Sequence, residues 1–380
     1  MKYRLIICFI LLAMVVGCAS PNDSVITNNP PKSSVEPMGE NNSESSDNQN
    51  EIKEIFVDEQ IGENIILKYK KPVLINQTAH PITVSYYYVD VGKACDVFFH
   101  DKKIIRQESN GSSGVITASD NSNIVSSDYF LTYDTDYYLE LSKIVSWDES
   151  DFLFNLNQYS LSNDLAFCTK KEAELQFIDT AQLLGINQLV RVSIFSLEHA
   201  SLNKAAEERI TATKNDKDQL KRGETYKEDW EAADDCYLII GECGFHSIPI
   251  VSEDFYSQKT DRIMFGNRIE ALVTKDGIVY FQLNHIYNKI GEESEFAIID
   301  PDTIIDSIIQ KYQSIITSDI FEIVAIELCY VPEYTQDGKL HLIPAWAVSV
   351  IEHTISNKDD QEYLINQVVL FNAKNGKEIY

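Results

Sequence analysis

The chain has 380 residues, of which 44% are hydrophobic, and a formal net charge of −27. This length suffices for one large hydrophobic core or two ordinary ones. Acidic residues outnumber basic residues by 59 to 32, which argues against a nucleic-acid partner because phosphate binding requires a dense basic surface.

The N-terminus has the pattern of a secretory signal. Lys2 and Arg4 precede an apolar run over residues 5–16, which is short for a membrane-spanning helix and has the length expected of a signal peptide. The run ends in Val-Val-Gly-Cys at residues 15–18. This ending resembles the bacterial lipoprotein signal, in which the cysteine receives a diacylglycerol before cleavage on its N-terminal side.

The resemblance implies a signal peptide over residues 1–17 and a lipid anchor, with palmitate among its acyl chains, on Cys18. The mature chain would then lie at the extracytoplasmic face of the cell membrane and contact the membrane through this lipid. An uncleaved N-terminal membrane anchor, in which Cys18 is incidental, is the alternative.

Residues 18–50 have the composition of a disordered tether. Seven Asn, seven Ser and four of the chain's ten Pro fall within residues 19–50, and such a composition buries too little apolar surface to fold. A coil of this length has an average reach of roughly 30 Å. The tether would therefore hold the folded part of the protein away from the membrane.

Residues 51–228 are predicted to form the first of two lobes. Segments rich in β-branched and aromatic residues, 65–75 and 82–89, are typical of strands. Asp134 and Asp136 would lie on one side of a further strand and could hold calcium or act as paired carboxylates, but the other ligands of a calcium loop are missing. A solvated strand face is the favoured interpretation.

The helices of this lobe have recognisable starting points. Asp90 is placed to cap a short helix, and Thr169 with Glu172 has the spacing of a capping box. Gly185 is placed to end that second helix. Residues 199–221 predict a more polar helix, exposed to solvent.

Residues 229–380 are predicted to form the second lobe, with strands over 236–243 and a hairpin that turns at Asp276-Gly277. Asp300 and Pro301 then begin a helix rich in isoleucine. The chain finishes in three strands, 321–334, 340–353 and 362–380. The sequence therefore predicts an α+β fold with two lobes of mainly antiparallel sheet and packed helices, the C-terminal lobe being a helix followed by a three-stranded meander.

Residues 343–350, Ile-Pro-Ala-Trp-Ala-Val-Ser-Val, combine a strand pattern with a proline. Alternation places Trp346 on a face of large side chains that would pack beneath the helix, and it leaves small residues on the opposite face. Pro344 lacks one backbone donor and so belongs at a sheet edge, a bulge or a strand start. We expect a core tryptophan and a sheet that is open to a partner strand near Pro344.

The cysteines beyond the signal number five, at positions 95, 168, 236, 243 and 329, so complete intramolecular pairing is excluded. A disulfide between Cys236 and Cys243 requires the chain to turn at Gly241, and the sequence leaves it open. No Cys-x2-Cys pair or histidine cluster accompanies these cysteines, which argues against zinc.

Motifs for catalysis are absent from the sequence. The seven histidines are scattered, and neither HExxH nor Gly-x-Ser-x-Gly occurs. The adjacent pair Glu198-His199 would point to different faces of a helix. Trp230, in the acidic stretch 229–235, is interpreted as a core residue. We therefore predict no catalytic, metal or cofactor site.

The order of elements around Pro344-Ala345-Trp346 and the turn Asn372-Ala373-Lys374-Asn375-Gly376 resembles PepSY-type modules over residues 266–380. It also resembles the C-terminal lobe of extracytoplasmic regulators that restrain the cell-wall histidine kinase of low-GC Gram-positive bacteria. Residues 168–186 and 236–251 are similar to clostridial lipoproteins that are known only as a domain of unknown function. These resemblances imply location and fold, and no activity.

The sequence thus predicts a lipid-anchored extracytoplasmic protein without enzymatic activity, which binds or regulates a membrane or cell-wall protein. A solute-binding lipoprotein of a transporter is the alternative and would have two similar α/β lobes with parallel sheets. An envelope hydrolase is a third hypothesis. A deep cleft with convergent carboxylates or histidines would favour the hydrolase, and a shallow apolar groove beside Trp346 would favour partner binding.

Overall fold

The structure is a computed structural model. It describes residues 55–72, 78–147, 155–215, 225–257, 261–315, 317–335, 337–355 and 362–379. The predicted signal peptide, Cys18 and the tether lie outside the described residues. Residues 52–380 belong to one compact unit.

In the part of the chain that the structure describes, the first half of this unit holds nine strands and four helices. The strands are β1 (Phe56–Ile61), β2 (Ile65–Lys70), β3 (Thr78–Ala79), β4 (Ile82–Tyr86), β5 (Ile104–Asn110), β6 (Ser113–Ala118), β7 (Asn123–Ser127), β8 (Phe130–Asp134) and β9 (Leu189–Leu197). The helices are α1 (Val91–Phe98), α2 (Tyr137–Leu141), α3 (Lys170–Leu183) and α4 (His199–Asn215). Single 3₁₀ turns cover Leu156–Gln158 and Ala232–Asp234.

The second half holds eleven strands and one helix among the described residues. The strands are β10 (Cys236–Phe245), β11 (Ile248–Pro249), β12 (Phe255–Ser257), β13 (Arg262–Met264), β14 (Arg268–Thr274), β15 (Gly277–Asn284), β16 (Tyr287–Glu292), β17 (Phe296–Ala297), β18 (Ile320–Tyr334), β19 (Leu340–Ile355) and β20 (Glu362–Asn372). The helix is α5 (Pro301–Gln313).

Nine strands form the larger sheet, in the order β11-β10-β14-β15-β8-β7-β6-β5. Strand β9 also pairs with β10, on the side opposite β14. Helices α1 and α3 pack on one face, where Phe177 meets the buried side chains of Ile239 and Phe281. Trp147, Trp230 and α4 cover the other face of the central strands. Because both faces are covered, every residue of β10 and β14 is buried or half-buried.

Seven strands form the second sheet, in the order β1-β2-β18-β19-β4-β16, with β20 also on β19. Among its described strand pairs, only β2 and β18 run parallel. Strands β18, β19 and β20 form the predicted antiparallel meander. Helix α5 packs across one face, with the buried side chains of Ile304, Ile308 and Tyr312 against it. The predicted α+β class with antiparallel sheets is confirmed.

Both sheets combine strands from both sides of the boundary expected between residues 228 and 229. Strand β8 pairs with β15 in the larger sheet, and β2 and β4 pair with β18 and β19 in the smaller one. The two sheets are therefore not two successive pieces of the chain. The sequence pattern could not reveal this, because strand periodicity carries no information about which distant strand is the partner.

The local predictions for helix ends are confirmed. Asp90 accepts a hydrogen bond from Lys93 N, and Thr169 and Glu172 form both bonds of the capping box. Asp300 caps α5, with Pro301 in its first turn. The polar helix α4 is less exposed than expected, since Leu202, Ala205 and Ala206 are buried. The end of its predicted range, 216–221, lies outside the described residues.

The disulfide that the sequence left open is excluded, and two other expectations need correction. Cys236 and Cys243 are both free and buried in the single strand β10. Seven residues of extended chain span roughly 24 Å, which is too far for a disulfide. Asp134 ends β8, while Asp136 has left-handed backbone before α2, so the two do not share a strand face. In the β14–β15 hairpin, only Gly277 has the positive φ predicted for Asp276-Gly277.

A candidate binding groove between the two sheets

Trp346 lies in the core, as predicted. Its side chain is fully buried beneath α5 with Val348 and Val350, and its Nε1 donates to the carbonyl oxygen of Ile299 at 3.0 Å. The indole is therefore a packing element with a satisfied donor and does not line a groove.

Pro344 lies where β19 changes its neighbour. Residues Leu340–Leu342 pair with β4, and the pairing with β20 begins at Ala345. On the side of β18, Pro344 lies opposite Tyr330. The carbonyl oxygen of Tyr330 accepts a hydrogen bond from Val251 N and therefore needs no donor from β19. The missing N–H of Pro344 thus falls at a gap in the ladder. Among the described strands, the open edge that we expected near Pro344 belongs instead to β20, which pairs with no strand other than β19.

The opposite face of the meander holds the small residues predicted for it, and it forms one wall of a groove. This wall consists of Ala325 and Glu327 on β18, Ala347 and Ser349 on β19, and Val368 on β20. The facing wall carries Arg191 on β9 and Glu242 on β10 of the larger sheet. It is completed by residues 249–253, at the end of β11 and just after it. Small side chains leave a cavity of about 340 Å³ between the two sheets.

Arg191 joins the two walls. Its Nε lies 3.2 Å from Glu242 Oε2, and its Nη1 and Nη2 each donate to Glu327 Oε2 at 3.1 Å. Arg191 and Glu242 are directly opposite each other on neighbouring strands, which is the position from which cross-strand charge pairs interact. Glu327 completes the network from the other sheet.

The charges of the groove are unequally exposed. The side chain of Glu242 is 23% exposed, compared with 43% for Arg191 and 52% for Glu327. Burial raises the pKa of Glu242, and the positive charge of Arg191 opposes this effect. Burial also acts to lower the pKa of Arg191, but Glu242 and Glu327 outweigh it and raise the value. The effect of burial on Glu242 therefore prevails, and the guanidinium limits the rise of its pKa.

Cys329 lines the same groove but is not an activated nucleophile. Burial, with the nearby charges of Glu253 and Glu327, raises the pKa of its thiol well above the ordinary value. A thiol reacts as its thiolate, so Cys329 stays protonated and unreactive at neutral pH. None of the described residues that line the groove is a histidine, which leaves the serines there without an adjacent imidazole base.

The residues singled out in the sequence lie elsewhere. His199 begins α4, where its backbone N–H and its Nδ1 both contact Asp235 Oδ1, at 2.6 and 2.8 Å. Asp235 thus accepts a hydrogen bond from a backbone N–H at the start of the helix, which is a structural role. Trp230 is buried in the core, as predicted. Within the described part of the chain, no three His, Cys, Asp or Glu side chains are grouped as metal ligands.

Sequence reasoning missed the network of Arg191, Glu242 and Glu327. These residues are far apart in the chain and form no motif, and only the pairing of β9 with β10 and the approach of β18 bring them together. The one usable signal was the small face of β19, because small side chains leave room for another layer to approach.

Of the helices described, none is both long enough and apolar enough to cross a membrane. No protein-family model and no curated protein matches the chain. Among solved structures, it is similar to the crystal structure of an uncharacterised protein from Eubacterium rectale ATCC 33656, with a TM-score of 0.67 and 13% identity. The match covers 84% of this chain and 92% of that chain. At this identity, the likeness is one of fold alone.

Proposed function

We propose that this chain is a lipid-anchored extracytoplasmic binding protein and that the groove between its two sheets is where it contacts a partner in the membrane or the cell wall. The N-terminal signal ending at Cys18 and the polar tether support the location. The observation that carries the binding role is the Arg191 guanidinium, which contacts carboxylates from both walls of an accessible groove.

The groove suits recognition better than acid–base chemistry. A general acid or base must exchange a proton with its substrate, whereas the carboxylates of Glu242 and Glu327 are both engaged by the same guanidinium. Fixed charges and small apolar side chains are the features of a surface that orients a bound partner. An envelope hydrolase would require a nucleophile with an adjacent base or a metal, and the described groove residues supply neither set.

A transporter's solute-binding lipoprotein receives no support from the sheets. That alternative predicted two similar lobes with parallel sheets, whereas the strand pairs described here are antiparallel apart from β2 with β18 and the single bridge between Ile250 and Tyr330. The resemblance to PepSY-type modules remains a prediction.

The location and the binding role can be tested separately. Replacing Cys18 with alanine should release the protein from the membrane fraction, and unchanged retention would contradict the lipid anchor. A photo-crosslinking amino acid at Ser349, in the groove, should capture one identified membrane or wall protein in living cells. The same probe at Gln107, on the exposed strand β5, is the matched control. Identical capture patterns at the two positions would argue against the groove.

A further inference from the structure

The groove continues into an open strip on the same face of the meander. Beyond Ser349 and Val368, the face runs through the pairs Ile351 with Asn366 and His353 with Leu364. Leu364 and Val368 are 62% and 42% exposed. The strip thus extends the groove floor along the last two strands, with the exposed apolar side chains of Leu364 and Val368 among polar ones.

The opposite end of the groove is closed. Residues 249–253 cross it, with Val251 N donating to the carbonyl of Tyr330, and the side chains of Val251, Cys329, Ala345 and Leu370 pack together there. Among the described residues, the open end of the groove is therefore the side of Leu364. From Ala347 to His353 the strip measures roughly 20 Å, the length of about six extended residues.

The charged groups of the groove are mostly negative. Glu242, Glu253 and Glu327 face one guanidinium, Arg191, so the groove has an excess of two negative charges. Glu327 is half exposed and Glu253 is exposed, and both can therefore approach a ligand. At the far end, Glu322 is already paired with Lys68 at 3.2 Å.

We infer that this groove and strip bind an extended, basic segment of a partner polypeptide, in which lysine or arginine alternates with apolar residues. An extended chain presents alternate side chains to opposite sides. One set would cover Ala347, Val368 and Leu364, while a basic side chain at the groove end would reach Glu327 and Glu253. The inference rests on the proposed binding role and specifies the chemistry of the partner.

A second copy of the protein is a poor occupant. Each copy has a formal charge of −27, and pairing one acidic groove with another acidic surface brings like charges together. A basic segment gains from the same charges. Its association would be steered by them and weakened by salt.

Calorimetric titration of the full chain in neutral detergent micelles tests this inference. The probe is a nine-residue peptide that alternates lysine with valine. Two control peptides keep one property each: alternating lysine and glycine keeps the charge, and alternating glutamate and valine keeps the apolar residues. We expect saturable binding of the lysine–valine peptide, at least about fivefold weaker binding of the lysine–glycine peptide, and none of the glutamate peptide.

Two variants locate the site. The double variant Glu253→Gln with Glu327→Gln should weaken lysine–valine binding at least about tenfold. Val368→Ser should weaken it about threefold without changing any charge. Glu59→Gln, on the exposed strand β1, is the matched control and should bind like the unmodified chain. Circular dichroism melting checks that each variant is folded.

Three results would overturn the inference. Equal binding of the lysine–glycine peptide would show that general acidity attracts the probe. Unchanged affinity in both groove variants would place the site elsewhere. Capture of an identified partner by crosslinking at Ser349, together with no binding of the lysine–valine peptide, would reject the basic segment while leaving the proposed function intact.

Discussion

Arg191 and Glu327 are 136 residues apart in the chain, and their side chains meet at 3.1 Å across the gap between the two sheets. Arg191 belongs to the nine-stranded sheet and Glu327 to the seven-stranded one. The contact fixes the width of the groove at the level of Ala347 and Ser349. The charge balance of the groove, the packing of its walls and its shape therefore all depend on the guanidinium of Arg191.

Replacing Arg191 with methionine should lower the free energy of unfolding by about 1–3 kcal/mol, because Glu242 would be left mostly buried without its cation. Urea unfolding at neutral pH measures the change. Arg106→Met is the matched control, since Arg106 forms an exposed ion pair with Glu108 on a single strand, and its effect should stay within about 0.5 kcal/mol. Equal losses in the two variants would contradict the bridging role.

Replacing Trp346 with alanine should cost about 3–5 kcal/mol, since it empties the space beneath α5 and leaves the Ile299 carbonyl without its indole donor. Trp346→Phe keeps most of the packing and should cost less than half as much. Tyr88→Ala, at a side chain that is 64% exposed, should have little effect in the same thermal or urea measurement. A mild effect of Trp346→Ala would show that the core is not organised around this side chain.

Gly241 is required by close packing in β10. A β-carbon at this position would lie 2.7 Å from a ring carbon of Phe177 and 2.9 Å from Leu189 Cδ2, so Gly241→Ala should destabilise the protein by about 1–3 kcal/mol. Gly291→Ala in β16, where no atom lies within 4 Å of the added carbon, is the control. Combining Gly241→Ala with Phe177→Leu should recover part of the loss, and strictly additive losses would count against this explanation.

His285 makes stability depend on pH. Burial against Phe265, with ring centroids 3.9 Å apart, lowers the pKa of the imidazole to about 4. The ordinary value is 6.5, so between these two pH values the unfolded chain binds a proton that the folded protein does not. Stability from this group is therefore lost as the pH falls from about 6.5 towards 4.

The expected loss at pH 5 is about 1–2 kcal/mol after allowance for partial exposure. Comparing urea unfolding at pH 7 and pH 5 in the unmodified chain and in His285→Asn measures it. Asparagine suits this position because the backbone has a φ of +48°. The variant should lose less stability between the two pH values, and an identical loss would exclude His285 as the titrating group.

Features that depend on neighbouring residues were determined by the sequence itself. Thr169 and Glu172 lie three residues apart and can satisfy each other's backbone donors in any context, so the start of α3 was predictable. The two-residue period of a strand likewise fixed which side chains share a face with Trp346. These features follow from geometry within a few residues.

The tertiary structure alone decided which strands become neighbours. Nothing near residue 131 indicates that Leu131 will pair with Leu283. The groove depends on this long-range pairing, because Arg191, Glu242 and Glu327 acquire a common environment only when two sheets approach each other. Alternation along one strand determines which way a side chain points, whereas the identity of the group opposite it depends on the free energy of packing the whole chain.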